Sequence, residues 1–419
     1  MKRSKNSLFI LLPLLLTNII CMAQRPLMNT ATPGVYIVEK NSFPNAVAEV
    51  ETAIPAFIGY TEKAKQTNDG DLDFVANKIL SIGDYEKHYG GISTQQSFIL
   101  YQSLQLYFDN GGNPCFIVSI GNYDSLPVKA DFIKGLDIIE KKDEPTLLLF
   151  PEAINLSGED MYEVQNAALK QAARLGDRFC IFDLKYADDH AKHDFVVNEF
   201  RKNIGPDNLK YGAAYSPYLK TSGNNSIVLP PSAAVAGQYC SLDRARGVWH
   251  APANISLNGI SQVVYAINEN EQNSLNIDLN SGKSINAIRK FSGRGIVIWG
   301  ARTLAGNDNE WRYISVRRFF NMVEETIKNA CLPFVFEPND ANTWVKARDV
   351  IQNYLTLKWR EGALAGSKPE EAFFVKVGLG QTMTATDILE GRMIVEIGMA
   401  VVRPAEFIIF RFSQKMEVN

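Results

Sequence analysis

The sequence predicts two kinds of folded region, an α/β layer through the middle of the chain and an α+β region behind it. Three observations carry this. Apolar runs of strand length alternate with helix-period segments between about residues 80 and 240, the pattern of a parallel sheet covered by helices. From about residue 285 the alternation stops, and two long amphipathic helices are followed by short strands. No repeat recurs at a period of about 20–50 residues, so the solenoid and propeller classes are excluded.

The elements follow in order. Residues 24–34 are small and polar and read as an arm, and Val35, Tyr36, Ile37 and Val38 form a short strand between Pro33-Gly34 and Asn41. Residues 53–60 are a second, apolar strand. Phe98, Tyr101, Leu104, Tyr107 and Phe108 recur at helical spacing, and Asn110-Gly111-Gly112 supplies the stop. Residues 115–120 and 146–150 read as buried strands. A helix over 160–175 ends at Gly176 and leads into a strand at 179–182, with another strand at 211–215. The polar, Asn- and Ser-rich stretch 268–284 reads as a hinge. Beyond it, 295–299 is a strand. Helices cover 313–327, with Val316, Phe319, Phe320, Val323 and Ile327 on one face, and 343–359, with Val350, Ile351, Tyr354 and Leu355 turned inward. Residues 373–377, 393–401 and 407–412 are the last strands.

Composition narrows the function classes. The chain has 419 residues, enough for two or three domains at about 150 each, with 46% hydrophobic, 21% charged and 11% aromatic residues. That is globular composition, not disordered or collagen-like. Lys plus Arg number 43 against 46 Asp plus Glu, a net charge of −3. A nucleic-acid binder carries a basic excess, which is missing. The 5 cysteines are too few and too scattered for a disulfide framework.

The first 23 residues stand apart. Lys2, Arg3 and Lys5 precede an apolar run over 8–16, and Cys21-Met22-Ala23 places small residues before Gln24, the order of a secretory signal. The run is too short for a permanent membrane anchor, and Ile20 before Cys21 does not suit a lipoprotein. Met22-Ala23-Gln24 is itself a plausible start, which makes residues 1–23 a signal-like or misplaced leader. Removing them takes three positive charges and no negative ones, leaving 40 basic residues against 46 acidic, a charge of −6.

Candidate chemistry is sparse. Gly282-Lys283-Ser284 looks like the end of a phosphate loop, but position 277 is Ile where that loop needs glycine, so a structural turn is the better reading. Gly293-Arg294-Gly295 and Gly378-Leu379-Gly380 lack the third glycine of a dinucleotide fingerprint. Residues 188–194 bring His190 and His193 among carboxylates, with Lys192 opposing a cation; a helix start capped by Asp188 or Asp189 is the plainer reading. There is no Gly-x-Ser-x-Gly elbow. Cys115, Cys180 and Cys331 sit in apolar runs as core residues. No nucleophile, base and orienting group meet at a convincing spacing.

The informative segments are apolar, glycine-marked or arginine-rich. In order they are Thr32-Pro33-Gly34-Val35-Tyr36; Ala53-Ile54-Pro55-Ala56-Phe57-Ile58-Gly59-Tyr60; and Tyr107-Phe108-Asp109-Asn110-Gly111-Gly112. Val228-Leu229-Pro230-Pro231-Ser232-Ala233, Arg246-Gly247-Val248-Trp249-His250-Ala251-Pro252-Ala253-Asn254 and Val297-Ile298-Trp299-Gly300-Ala301-Arg302-Thr303-Leu304 follow. Trp311-Arg312-Tyr313-Ile314-Ser315-Val316-Arg317-Arg318 and Arg403-Pro404-Ala405-Glu406-Phe407-Ile408-Ile409-Phe410 close the series. Together they resemble the contractile tail sheath protein family of phage tails, R-type bacteriocins and extracellular contractile injection systems, over residues 32–415. The length suits the compact sheath proteins of injection systems.

That resemblance implies a division of the chain. An N-terminal linker arm spans 24–45. A subtilisin-like, non-catalytic α/β sheath domain spans 46–285. A C-terminal α+β sheath domain facing an inner tube spans 286–403, and a C-terminal strand arm spans 404–419. It implies a structural subunit rather than an enzyme, with no cofactor or metal. Copies of the chain would form six-membered rings stacked into a helical sheath around an inner tube protein, with baseplate and terminator or cap proteins at the ends. No nucleic acid and no membrane insertion are expected. Cytoplasmic assembly, with release as an extracellular particle, weakens the export reading and favours Met22 as the start.

The residues suit these roles. Val35, Tyr36, Ile37 and Val38, and Phe407, Ile408, Ile409, Phe410, Arg411 and Phe412, are strands without a sequence-adjacent partner, suited to pairing with another subunit. Arg302, Arg317 and Arg318 can pair with acidic residues either across subunits or within the fold. Lys346, Arg348 and Lys358 mark a basic side of the 343–359 helix that would meet the tube. The competing reading is a secreted α/β hydrolase-like or surface-binding protein, which an Asp/His/Ser set would support.

Overall fold

A computed structural model describes residues 47–409 and 411, apart from 125, 224 and 225. Val35–Val38 therefore lies outside the described residues, as do Phe410 and Phe412.

The larger sheet begins with β1 (Pro55–Gly59), β2 (Ala76–Ile79), β3 (Cys115–Ser119), β4 (Leu147–Leu149), β5 (Phe179–Asp183) and β6 (Gly212–Ser216). Next come β7 (Leu219–Thr221), β8 (Val228–Leu229), β9 (Ile255–Ser256), β10 (Ile260–Val263), β11 (Asn286–Phe291) and β12 (Gly295–Trp299). The strand order is β2-β3-β1-β4-β5-β6-β11-β12-β9, with β10, β7 and β8 in a small separate sheet. The run β3-β1-β4-β5-β6-β11 is parallel, and β2, β12 and β9 pair antiparallel at the edges. Parallel strands need covered crossovers. The helices α1 (Ile82–Tyr89), α2 (Leu100–Asp109), α3 (Lys129–Glu140), α4 (Gly158–Leu175), α5 (His193–Asn203) and α6 (Ser232–Arg246) supply them.

Alternate side chains of each strand enter opposite cores. Ala56, Ile58, Phe116, Val118, Leu148, Cys180 and Phe182 pack with α3, α4 and α5. Phe57, Ile117, Leu147, Leu149, Phe179 and Ile181 pack with α1, α2 and α6. Burial on both faces explains why these strands read as unbroken apolar runs. The helix stop at Gly176 is as expected: its φ of +78° is left-handed and its amide closes on the Ala172 carbonyl.

The 268–284 stretch is not a hinge. It contains α7 (Glu269–Asn276), opened by a reciprocal capping box between Asn268 and Glu271, and Leu275 is fully buried. The chain then returns to β11, which pairs with β6, so the large sheet runs on past residue 285 through β12. A polar crossover helix with one buried leucine has the composition of a linker, which is why it reads as one.

Behind the large sheet stand α8 (Ile314–Cys331) and α9 (Ala341–Arg360), then α10 (Pro369–Ala372), β13 (Phe373–Val377), α11 (Ala385–Leu389) and β14 (Val395–Met399). Phe319, Met322, Val323, Ile351, Tyr354, Leu355 and Val375 form a third core there. The described residues of the expected strand at 407–412 form no strand within this chain.

Candidate assembly surfaces

β13 and β14 form a two-stranded antiparallel sheet in the register Phe373↔Met399 through Val377↔Val395. The alternation Phe374 out, Val375 in, Lys376 out, Val377 in suits a sheet with one covered face. Phe374 stands opposite Gly398 and its ring lies over it; a Cβ there would come within 2.2 Å of the ring. Among the described residues each strand has a neighbouring strand on one side only, and isolated bridges follow them, Leu379 to Met383 after β13 and Leu364 to Val401 after β14. Ile397 and Met399 are half-buried although apolar. Two strands alone are marginal, and such a sheet gains from a third.

Beyond β14 the chain crosses back to the large sheet. The Val402 amide donates to the Ala363 carbonyl at 3.1 Å, and Arg403 Nη1 to the Asn309 carbonyl at 2.8 Å. Glu406 then receives Arg302 Nε at 3.0 Å, Arg302 Nη2 at 2.6 Å, Asn276 Nδ2 at 2.8 Å and the Tyr313 hydroxyl at 3.2 Å. Burial opposes its charge, but the Arg302 and Asn276 hydrogen bonds outweigh it and hold the carboxyl below its usual range. Immediately after, Phe407, Ile408 and Ile409 are 66%, 72% and 78% exposed. A run of exposed apolar residues of this kind marks an interaction segment.

Of the two pairings open to Arg302, Arg317 and Arg318, the one within the fold is found: all three are buried and paired inside the chain. Arg302 binds Glu406 as above. Arg317 donates from Nε to Asn321 Oδ1 at 2.7 Å and from Nη2 to Glu324 Oε2 at 2.9 Å, and stacks on Trp311 at 4.5 Å. Arg318 donates to both oxygens of Asp243, at 3.1 and 2.6 Å, and to the Thr52 carbonyl at 2.9 Å, with Tyr239 beneath it. Desolvation disfavours the Arg318 charge, and Asp243 more than restores it. Guanidinium groups this deep have no surface to offer a neighbour, so of the two pairings the one across subunits falls. The expectation for Lys358 is corrected. It lies on the buried face of α9 with Ile351, Tyr354 and Leu355, bound to Glu49 and, at 2.7 Å, to Glu361. Lys346 is exposed, and Arg348 is half-exposed beside Asp349 at 3.6 Å. Successive helix residues turn by about 100°, so Lys346 and Arg348 point to different sides of α9.

The polar groups at the large sheet are arranged as caps. Asp183, at the end of β5, accepts the Ser232 amide at 2.9 Å and the Ser232 hydroxyl at 2.5 Å, closing the N-terminus of α6. Burial pushes its carboxyl up to about 7 against those bonds. His193 faces the Tyr265 hydroxyl at 3.2 Å, and its imidazole is held down by burial. Serine activation needs its hydroxyl to donate to an imidazole, whereas here Ser232 donates to a carboxylate. His190 meets Glu271 at 2.8 Å and stacks on Tyr265, while Asp189 accepts the Ala191 amide at 3.0 Å as the expected helix cap. Among the described residues no His, Cys, Asp and Glu group has the makings of a metal site. Lys283, in the phosphate-loop-like tripeptide, donates to the Arg201 carbonyl at 2.6 Å and also to that of Ile204.

Glu152 escaped sequence reasoning. Fully buried, it accepts the Ile99, Leu100 and Tyr60 amides at 2.9, 3.1 and 2.6 Å, capping α2 from another element; burial pushes its carboxyl up to about 8. Nothing local signals this, because the donors lie in two other segments.

Internally paired charges, a half-covered two-stranded sheet and an exposed apolar tail define a self-contained building block prepared to join others. Comparison with known proteins agrees. The family model of the phage tail sheath C-terminal domain matches residues 306–415. The anti-feeding prophage helical sheath in its contracted state is 37% identical with a TM-score of 0.72, covering 92% of this chain and 100% of that one. The contracted sheath complex of the extracellular contractile injection system PVC is also 37% identical, with a TM-score of 0.71, covering 92% of this chain and 98% of that one. The tail sheath protein of Vibrio phage KVP40 is 28% identical over 165 residues, a match spanning 36% of this chain and 23% of the phage protein's own length. The chain belongs to the contractile tail sheath family and is a structural sheath subunit.

Proposed function

We propose that copies of this chain stack as six-membered rings around an inner tube, joined to a baseplate at one end and a terminator or cap at the other. Contraction would drive the tube through a target envelope. The observation that carries the reading is the coexistence in one chain of an under-filled sheet, β13–β14, and the exposed tail Phe407, Ile408 and Ile409. An extended tail added to the open edge of a neighbour's small sheet satisfies both. Donor and acceptor surfaces differ, so the contact is heterologous and propagates as an open helix. The N-terminal arm, with Val35, Tyr36, Ile37 and Val38, would add a second link of the same kind.

The large sheet domain corresponds in this reading to the subtilisin-like, non-catalytic layer, and the region of α8, α9 and β13–β14 to the part that faces the tube, with the exposed Lys346 as a polar contact. The extended sheath is held in a higher-energy arrangement by a kinetic barrier. After triggering, subunits rotate as near-rigid bodies while donated strands keep them linked. Assembly occurs in the cytoplasm with release as a particle. Among the described residues no helix is long and apolar enough to cross a membrane.

The test is truncation. Chains lacking residues 24–38 or 407–419 are expected to fold as monomers, by circular dichroism and thermal melting, yet form no sheaths in negative-stain micrographs. Truncated protein that still makes striated contracted tubes would falsify strand donation.

A further inference from the structure

We propose that Glu406 is the anchor of the C-terminal arm, a positioning residue that sets where the apolar tail leaves the subunit and ties it to the large sheet. The inference rests on the reading that this tail is donated to a neighbour. Its own support is geometric. Glu406 immediately precedes the exposed residues Phe407, Ile408 and Ile409. Its donors come from three places: Arg302 after β12, Asn276 at the end of α7 and Tyr313 at the start of α8. Arg302 is itself braced, donating from Nη1 to the Gly306 carbonyl at 3.0 Å and from its backbone amide to Asn286 Oδ1 of β11 at 2.8 Å. The carboxylate is therefore fastened to the rim of the large sheet.

A buried arginine requires a counterion, but a carboxylate on any adjacent element would serve. Here it is carried by the tail itself. The paired fork of a guanidinium fixes direction as well as distance, so the tail's exit is defined at a point rather than left to a loose linker. Arg403, donating to the Asn309 carbonyl at 2.8 Å, straps the same segment three residues earlier. Tension on a donated tail would then pass into β11 and β12 instead of peeling β14 from its small sheet.

The experiment measures the protein concentration giving half-maximal sheath formation, by sedimentation and negative stain, alongside the melting temperature of the monomer. Replacing both charges together (Arg302→Met with Glu406→Gln) leaves no unpaired buried charge but removes the Nη1 donor to the Gly306 carbonyl, so the monomer is expected to melt modestly below the wild-type temperature. Assembly of that double variant is expected to need about tenfold more protein. A second variant, Asn276→Ala with Tyr313→Phe, removes only neutral donors; it covers the case of a misfolded first variant and is expected to shift assembly about threefold. Deleting residues 407–419 while keeping Glu406 serves as the control.

Separation of assembly from melting supports the anchor. It is overturned if the double variant assembles at the wild-type concentration while the deletion abolishes sheaths, which leaves strand donation standing. Assembly losses that merely track melting temperature across the variants overturn it as well, as does unchanged assembly of the neutral-donor variant when the double variant misfolds. Normal assembly by the deletion defeats the donation reading itself, and the anchor with it.

Discussion

Two of the three sheets in the described residues, the nine-stranded one and the β13–β14 pair, are built to different degrees of completion. In the large sheet the central strands are buried on both faces, and charged groups nearby are answered from within: Arg318 by Asp243, Asp183 by Ser232, Glu152 by three amides. In the small sheet β14 carries Val395, Ile397 and Met399 half-buried, and Phe374 is 43% exposed. The central strands of the first sheet are covered by their own chain. The second leaves apolar side chains half-buried, and in the proposed assembly another strand would cover them. In the proposed sheath this contrast divides labour: the well-buried sheet would be the part that moves as a body, and β13–β14 the place where it is joined.

The largest effect on this contrast should come from Arg318→Ala. It leaves Asp243 buried without its partner and should destabilise the monomer by about 3–5 kcal/mol, read as a lowered midpoint in chemical denaturation. A loss under about 1 kcal/mol would mean that the large-sheet side does not depend on internal pairing.

The next effect is a pH dependence. Glu152 is raised from 4.5 to about 8 and Asp183 from 3.8 to about 7. Both bind their proton more tightly folded than unfolded. Their contribution is therefore present at low pH and is lost as pH rises from about 4.5 toward 8. The monomer's melting temperature should fall across that window, and a flat or rising profile breaks the expectation.

Smallest in stability is Phe374→Ala. The residue covers Gly398 on the exposed face of the small sheet, so the monomer should lose about 1 kcal/mol or less, while sheath yield falls sharply. Equal losses of stability and assembly would erase the distinction between the two sheets.

The parallel layer was legible because buried parallel strands read as apolar runs and their helices carry their own stops, as at Gly176. The helix starts near residues 313 and 343 and the strand at 373–377 were legible for the same local reasons. The misreadings share one cause. The 268–284 stretch looks like a linker because its composition is polar, and only the return of β11 to β6 makes it a crossover. Lys358 looks like a surface lysine, and Glu49, far earlier in the chain, meets it on the buried face of α9 beside Glu361. For Arg302, Arg317 and Arg318 the sequence leaves pairing across subunits and pairing within the fold both open, and only the packed structure selects the second. For Arg302 and Arg318 the carboxylate is distant, and such a meeting leaves no mark on neighbouring residues; Arg317 finds Asn321 and Glu324 on its own helix.

What the sequence determined by itself was the class of each segment, the order of segments that places the chain among the sheath proteins, and the apolar character of both arms. These follow from periodicity, turn residues and composition, which act over a few residues at a time. Tertiary structure alone decided where the large sheet ends, which charges are spent internally, and that the C-terminal tail departs from a carboxylate held by Arg302, Asn276 and Tyr313. Those outcomes depend on which distant segments meet, and burial rewards such meetings only once the whole layer has closed around them.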